Sequence, residues 1–310
     1  MHMKPKGSFV AIVTPMNSDG SIDIAGFKNL IQFHEENGTS ALLIMGSTGE
    51  VSMLSHEEKI NIITETSKMK SSKMQIYYGC TGNNTQTTIN MVKFAKNEGA
   101  DGAIIAAPSY ICASSSDIKD YVKQVCDSTD LAIGFYNNPP RVNTDLHWDD
   151  LLELSNHPNM VVLKESTTRV GQVAQMCSAK PDISIMCCCS PNLGLIVPTM
   201  SLGGHGTANM TGNIIPKEFS IISKPWNNPE DPENFKKEYL KNLEMLHFAY
   251  SSVNPVPIKT LMQAIGLPSG PMRKPLKSLS KQNLLSGLKI ISNLSLDKIY
   301  GYKIKLDRVA

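Results

Sequence analysis

One lysine of the chain stands where it could act as a nucleophile. Lys164 ends the apolar run 160–163, so its amine should be largely removed from water. Desolvation disfavours the ammonium form, lowers its pKa and leaves a lone pair that can attack a ketone carbonyl. The alternatives are a lysine paired with Glu165 and a lysine whose charged end reaches solvent. The residue type alone favours these alternatives, so the position of Lys164 in the fold must decide.

A second candidate is the sequence GSTGE at residues 46–50, which follows the apolar run 41–45. Gly46 lets the backbone approach a ligand, and the hydroxyls of Ser47 and Thr48 can hold a carboxylate with help from backbone N–H groups. The alternative is a plain turn between a strand and a helix. The segment lacks the lysine of a phosphate-binding loop.

Two tyrosines and an arginine follow other apolar runs. Tyr136 ends the run 131–136, where its hydroxyl can pass protons to an amine or a carbinolamine. Arg141, beyond two prolines, can clamp a second carboxylate with its planar guanidinium. Tyr110 could join the proton chain or pack between subunits. The alternatives are a space-filling role for Tyr136 and a surface ion pair for Arg141.

The elements that must position these residues recur along the chain at intervals of roughly thirty residues. Eight short, unalternating apolar runs are typical of parallel strands buried on both faces, and amphipathic helical segments follow most of them. Closing eight such units gives an α/β fold, the (β/α)8 TIM barrel. A doubly wound sheet is disfavoured because the first turn, VTPMN at 13–17, has no phosphate-binding glycines. The predicted strands are 9–14, 41–45, 74–80, 102–107, 131–136, 160–164, 183–189 and 206–210.

Helix signals support the same arrangement. Predicted helices are 24–36, 57–69, 85–97 and 117–126, and Ser55 with Glu58 forms a capping box before the second of them. In such a barrel the chemistry lies where strands end, so Lys164 after the sixth strand and Tyr136 after the fifth favour a nucleophile with a proton carrier.

The pattern changes after residue 225. The loop WNNP at 226–229 precedes long helical segments at 234–250, 258–265 and 281–294. We therefore predict a barrel domain at 1–225 and a C-terminal helical extension, 226–310, packed on the barrel.

Composition restricts the partners. With 41% hydrophobic residues, 19% charged residues and a net charge of +2, nothing indicates a nucleic-acid or membrane partner. Seven cysteines, three of them adjacent at 187–189, do not suit a disulfide framework and predict a cytoplasmic protein. Adjacent strand residues point to opposite faces, so this run is expected to pack in the core. The histidines form no ligand cluster, and we expect no metal.

Several motifs together resemble the dihydrodipicolinate synthase / N-acetylneuraminate lyase family of class I aldolases. The resemblance extends from about residue 7 to about residue 279, and its motifs occur in the family's order. They are VAIVTP at 10–15, GSTGE at 46–50, Tyr136-Asn137, Lys164-Glu165, LGGHG at 202–206 and NPVPIK at 254–259.

The resemblance implies a role for each candidate residue. Lys164 would form an imine with the ketone of pyruvate, and Tyr136 would relay protons there. Ser47 and Thr48, on the loop that Gly46 opens, would hold the pyruvate carboxylate, and Thr48 would extend the relay. Tyr110 matches a tyrosine that enters a neighbouring subunit's site, which implies a homotetramer built as a dimer of dimers. No cofactor is expected, because the protonated imine is itself the electron sink.

The second substrate is inferred from fewer residues. Arg141 and the NPVPIK segment resemble the synthase branch, which implies condensation of pyruvate with aspartate semialdehyde on the route to lysine. The loops ESTT at 165–168 and SPN at 190–192 depart from that branch. His56 and Asn83 match its lysine-inhibition site, whereas Thr87 and Ser109 do not. A related enzyme acting on a 2-keto-3-deoxy sugar acid or a hydroxyproline-derived acid remains an alternative. So does a non-catalytic protein that binds a 2-oxo acid.

Overall fold

Eight parallel strands pair in chain order, and the last strand returns to pair with the first, so the sheet closes into a barrel. This computed structural model describes residues 2–304; residue 1 and the last part of the predicted extension, 305–310, lie outside the described residues. The predicted TIM barrel is confirmed. The strands are β1 (Gly7–Ala11), β2 (Ala41–Ile44), β3 (Gln75–Gly79), β4 (Gly102–Ala106), β5 (Ala132–Asn137), β6 (Met160–Glu165), β7 (Ser184–Cys188) and β8 (Gly206–Asn209).

Helices surround the barrel and continue beyond it. They are α1 (Ile24–Glu36), α2 (His56–Ser67), α3 (Thr85–Asn97), α4 (Ser115–Asp127), α5 (Pro139–Val142), α6 (Trp148–Ser155), α7 (Val170–Ala179), α8 (Ile196–Ser201), α9 (Pro216–Ile222), α10 (Asp231–Lys241), α11 (Leu243–Ala249), α12 (Val256–Ala264), α13 (Lys281–Asn293) and α14 (Leu296–Tyr300). The predicted capping box is present: the Glu58 backbone N–H donates to Ser55 Oγ at 3.2 Å, and the Ser55 N–H donates to a Glu58 carboxylate oxygen at 2.8 Å.

Burial on both faces explains why the strands do not alternate in sequence. One set of side chains, including Phe9, Tyr77 and Met186, fills the barrel interior, and a second set packs outward against the helices. Parallel strands covered by helices therefore read as continuous apolar runs. The sequence pattern that predicted the strands is a direct result of this double burial.

Most predicted elements differ from the observed ones by one or two residues at their ends, and two differ more. The first strand begins at Gly7 rather than residue 9, because Gly7 bonds to the His205 carbonyl and Ser8 Oγ is satisfied by the Asn209 side chain. The predicted helix 234–250 is wrong as a single element. It is interrupted at Asn242, where the backbone leaves the helical conformation (φ −99°, ψ 9°) and the side-chain amide and backbone N–H both donate to the Glu238 carbonyl, at 2.9 and 3.1 Å.

The helices α10–α14 form the C-terminal helical extension, as predicted. Their apolar residues share one buried cluster with barrel residues such as Val13, Cys187 and Met210. The division into domains at 225 and 226 stays a prediction. Within residues 2–304, no helix combines the length and apolar character needed to cross a membrane.

Candidate active site

Lys164 and Tyr136 meet at the carboxyl end of two neighbouring strands. They are directly paired in the register of β5 and β6, and Lys164 Nζ lies 4.1 Å from the centroid of the Tyr136 ring. Lys164 is only 5% exposed. Burial lowers its pKa, and the positive charge of Arg141 acts in the same direction, whereas ionised thiols at Cys188 and Cys189 would oppose it. The site therefore shifts this amine towards its neutral, nucleophilic form.

The neighbouring carboxylate does not pair with this amine. Glu165 is bound by the side-chain amides of Asn137 and Gln172, at 3.1 and 2.9 Å, and by the backbone N–H groups of Ser166 and Thr167. Burial nevertheless raises the pKa of Glu165 to about 7. Successive strand residues point to opposite faces, which separates Glu165 from Lys164. Neither the ion pair nor the exposed lysine considered as alternatives is present.

The Tyr136 hydroxyl is held in its protonated form. Burial is the largest effect on its pKa and raises it, and negative charge at Cys188 would raise it further. Ser166 Oγ lies 3.4 Å from the phenol oxygen. After the amine has added to a ketone, a protonated phenol beside it can donate a proton to the carbinolamine oxygen, which then leaves as water. The motifs gave Ser166 no role, because ESTT was recognised only as a departure.

The GSTGE segment turns sharply after β2. Met45 has a positive φ of 59°. Its carbonyl oxygen would lie only 2.0 Å from a Cβ at position 79, so only glycine fits at that position. A one-turn 3₁₀ segment, Ser47–Gly49, follows, and the Thr14 hydroxyl donates to the Gly49 carbonyl at 2.6 Å. Thr48 is buried and Ser47 is half-buried. This packing fixes the backbone that carries the two hydroxyls.

The C-terminal extension also binds the GSTGE segment, through Glu50 and the two hydroxyls. Lys259 Nζ donates to a Glu50 carboxylate oxygen at 2.5 Å, and both side chains are fully buried. The Arg273 backbone N–H donates to the second Glu50 oxygen at 2.8 Å. Asn254 Nδ2 lies 3.4 Å from Ser47 Oγ and 3.2 Å from Thr48 Oγ1. NPVPIK is recognisable in the sequence as a motif, but nothing in the sequence connects it with GSTGE.

Arg141 and Tyr110 are exposed in the single chain. Arg141 lies on α5, directly after β5, close enough to Lys164 and Tyr136 for its charge to influence both. Tyr110 is 97% exposed with a positive φ of 79°, and it makes no side-chain contact with the other candidates among the residues described. The structure therefore brings together Lys164 with Tyr136 and Ser47 with Thr48, and it leaves Tyr110 outside both pairs.

The cysteine run is buried, as expected, but it also contacts a tyrosine of the extension. The Sγ atoms of Cys188 and Cys189 lie 3.3 and 3.2 Å from the Tyr250 hydroxyl. Burial raises the pKa of Tyr250 well above its usual value. Sequence reasoning missed Tyr250, since it lies in no motif. Over residues 2–304, no group of three or more histidine, cysteine or carboxylate side chains is arranged to hold a metal ion.

Comparison with known proteins agrees with this arrangement. The model of the dihydrodipicolinate synthetase family matches residues 4–294. A 4-hydroxy-tetrahydrodipicolinate synthase of Clostridium novyi is 33% identical over 282 residues, covering 90% of this chain and 93% of that protein. The protein of the same name from Caldicellulosiruptor saccharolyticus is 31% identical, covering 97% and 98%.

Solved structures extend the likeness to the whole fold. The dihydrodipicolinate synthase of Aquifex aeolicus superposes with a TM-score of 0.87 at 27% identity, covering 94% of this chain and 98% of that one. The 4-hydroxy-tetrahydrodipicolinate synthase of Methylacidiphilum fumariolicum gives 0.88 at 27% identity, covering 96% and 99%. The resemblance seen in the motifs is confirmed along nearly the entire length. The chain thus belongs to the dihydrodipicolinate synthetase family, whose members are lyases of the class I aldolase type.

Proposed function

We propose that this protein condenses pyruvate with aspartate semialdehyde to give 4-hydroxy-tetrahydrodipicolinate through a Schiff base on Lys164. The observation that carries the proposal is the buried Lys164 amine, held 4.1 Å from the Tyr136 ring at the carboxyl end of the barrel. Burial lowers the pKa of this amine, and the relatives are named for this reaction product.

The first half of the reaction uses pyruvate alone. The Lys164 amine attacks the ketone carbon, and Tyr136 donates the proton with which the carbinolamine oxygen leaves as water. The protonated imine that results draws electrons from the neighbouring methyl carbon, which loses a proton to the Tyr136 phenolate left by the first step and so gives an enamine. Because the imine is itself the electron sink, the proposed reaction uses no metal and no cofactor.

Two groups of residues bind the substrates in this scheme. Ser47 and Thr48, on the loop opened by Gly46, hold the carboxylate of pyruvate, and Thr48 extends the proton relay. The enamine carbon then attacks the aldehyde carbon of the second substrate, and the amino group of that substrate attacks the imine carbon, which closes the ring and releases the Lys164 amine. Arg141 lies exposed after β5, where its guanidinium can hold the carboxylate of that aldehyde in two parallel hydrogen bonds.

We expect Arg141→Ala to weaken the second substrate selectively. Its KM for aspartate semialdehyde should rise by roughly 10- to 100-fold, the range for a lost hydrogen bond to a charged group. The KM for pyruvate should change little, because Ser47 and Thr48 are intact. Steady-state kinetics with each substrate varied in turn measures both constants. An unchanged KM for the semialdehyde would remove Arg141 from this role.

A panel assay tests the choice of second substrate. Pyruvate and aspartate semialdehyde are supplied in one series, and 2-keto-3-deoxy sugar acids and hydroxyproline-derived acids are supplied in the others. We expect turnover only in the first series. Turnover of a sugar acid without turnover of the semialdehyde would assign the protein to another reaction of the same imine chemistry. Absence of turnover in every series would favour a 2-oxo acid binding protein.

We further propose a homotetramer, a dimer of dimers, in which Tyr110 enters the neighbouring subunit's site. Tyr110 is 97% exposed in the single chain, so Tyr110→Phe should alter the folding stability of the individual chain by less than about 0.5 kcal/mol. Turnover should nevertheless fall by roughly tenfold or more, because a proton carrier is lost. Light scattering gives the assembly, and a fully active monomer would contradict the proposal.

A cytoplasmic location is part of the same proposal. All seven cysteines are free, and five of them are buried. A reducing compartment keeps such thiols free.

A further inference from the structure

Asn254 is the one side chain that joins the extension to both hydroxyls of the GSTGE segment, as far as residues 2–304 show. Its Nδ2 lies 3.2 Å from Thr48 Oγ1 and 3.4 Å from Ser47 Oγ. Its other amide atom, Oδ1, is buried and has no hydrogen-bond partner in the described structure. A buried acceptor without a partner is costly, so this arrangement calls for an explanation.

The direction of these hydrogen bonds follows from the atoms involved. An amide nitrogen carries two donors and no acceptor, whereas a hydroxyl has one donor and two acceptor lone pairs. When Nδ2 donates to both oxygens, neither the Ser47 nor the Thr48 hydroxyl needs its own proton for Asn254. The described chain shows no other side-chain hydrogen bond from either hydroxyl, so both protons are free for a ligand.

We propose that Asn254 is a positioning residue that keeps both hydroxyls as donors, so that together they bind the carboxylate of the 2-oxo acid. A carboxylate is purely an acceptor, and it binds best where the site offers donors only. The proposal rests on the function proposed above and deepens it. It assigns the polarity of the carboxylate site to a residue of the C-terminal extension.

The surrounding contacts fix the position of Asn254 relative to the two hydroxyls. Five residues after Asn254, Lys259 bonds to Glu50 at 2.5 Å, and Glu50 lies two residues after Thr48. The Ser269 hydroxyl donates to the Lys259 carbonyl at 2.8 Å, and Lys259 Nζ also donates to the Pro271 carbonyl. Asn254 and the two hydroxyls are therefore also linked through the buried ion pair of Lys259 and Glu50.

Exchanging the amide for a carboxylate reverses the polarity without changing the shape. In Asn254→Asp, the hydroxyl protons would turn towards the new carboxylate, and its charge would repel the ligand. We expect the pyruvate concentration for half-maximal borohydride trapping to rise by roughly 10- to 100-fold or more. In Asn254→Ala the hydroxyls can still rotate to donate, so the rise should be smaller, roughly threefold to tenfold.

A larger rise for Asn254→Asp than for Asn254→Ala distinguishes the proposal from a merely structural role of Asn254. A structural role predicts the larger loss for alanine, which removes every contact, and the smaller loss for the isosteric aspartate. The proposal also predicts that the defect of Asn254→Asp shrinks as the pH falls, because protonation neutralises the new carboxylate and restores a donor. If Asn254→Asp trapped pyruvate as the wild type does at neutral pH, the hydroxyls would be donating to Asn254 and the proposal would fail.

A matched control is available on the same extension. Asn242 is fully buried, its amide nitrogen donates to the Glu238 carbonyl at 2.9 Å, and its Oδ1 also lacks a partner among the described residues. Asn242→Ala should leave the pyruvate dependence of trapping unchanged, even if it lowers stability. Thermal melting of all variants reports whether a change in trapping accompanies unfolding.

A double-mutant cycle covers the case in which Asn254→Asp does not fold. Ser47→Ala, Asn254→Ala and the double variant are compared by the same trapping curve. The proposal requires the loss from Ser47→Ala to become smaller once Asn254 is gone, and additive losses would overturn it. If the proposed function itself were wrong, the wild type would give no pyruvate adduct, and this result distinguishes that failure from a failure of the proposal about Asn254.

Discussion

Lys164→Ala is expected to lose both the pyruvate adduct and nearly all turnover. Treated with borohydride and pyruvate, the wild type should gain the mass of one reduced pyruvate per chain, and the variant should gain none. Turnover should fall by roughly 10⁴- to 10⁶-fold, as expected when a covalent nucleophile is removed. The reason is structural: the amine is 5% exposed, and burial lowers its pKa, so a larger fraction of it carries a reactive lone pair than in an exposed lysine.

Tyr136→Phe is the matched control for this experiment. The phenyl ring still covers the Lys164 amine, but the phenol that carries protons is gone. This variant keeps the nucleophile and should still acquire the borohydride adduct, but more slowly than the wild type because imine formation uses the Tyr136 proton, while turnover falls by the roughly 10²- to 10⁴-fold typical of a lost acid–base group. The pair of variants therefore distinguishes loss of the nucleophile, which abolishes the adduct, from loss of the proton carrier, which slows its formation.

A second buried lysine gives the experiment a definite alternative outcome. Burial also lowers the pKa of Lys259, although Glu50 opposes this effect. Lys259 Nζ donates to Glu50 at 2.5 Å and to the Pro271 carbonyl at 2.9 Å, so its protonated form is bound on two sides. An adduct that persists in Lys164→Ala and maps to Lys259 would overturn the assignment.

The sequence was informative wherever local chemistry decides the structure. Helices α1 and α3 begin and end at the predicted residues, because Asp23 and Asn84 cap them through their own side chains. The strands were visible because burial on both faces leaves continuous apolar runs. With the strand order fixed, the sequence alone places Lys164 and Tyr136 at the ends of neighbouring strands.

Contacts between distant segments were not predictable in this way. Glu50 and Lys259 are 209 residues apart, and Thr48 and Asn254 are 206 apart. Each residue was noticed within its own motif, but no periodicity or capping rule relates one motif to the other. The break at Asn242 was missed for a similar reason, since its side-chain bond to the Glu238 carbonyl leaves no trace in the apolar pattern. Tertiary packing decides these features.

The buried pair of Glu50 and Lys259 leads to the largest expected effect on stability. Lys259→Met should lower the free energy of unfolding by about 3–5 kcal/mol, because it leaves the Glu50 carboxylate buried without its counter-charge. The remaining Arg273 backbone N–H, at 2.8 Å, can satisfy only one of the two carboxylate oxygens. Denaturant titration measures the change. Pyruvate trapping should also weaken, since Ser47 and Thr48 lie on the segment that Glu50 anchors.

The double variant Glu50→Gln with Lys259→Met distinguishes a missing counter-charge from a simple loss of packing. Removing both charges together should recover most of the stability, to within about 1 kcal/mol of the wild type, because no buried charge remains. The exposed pair of Lys68 and Glu65 provides the surface control, with side chains 63% and 35% exposed. Lys68→Met should cost less than about 1 kcal/mol. If Lys259→Met lowered the free energy of unfolding by no more than this, the Glu50–Lys259 pair would not be shielded from water. The extension would then not anchor the GSTGE segment through charge.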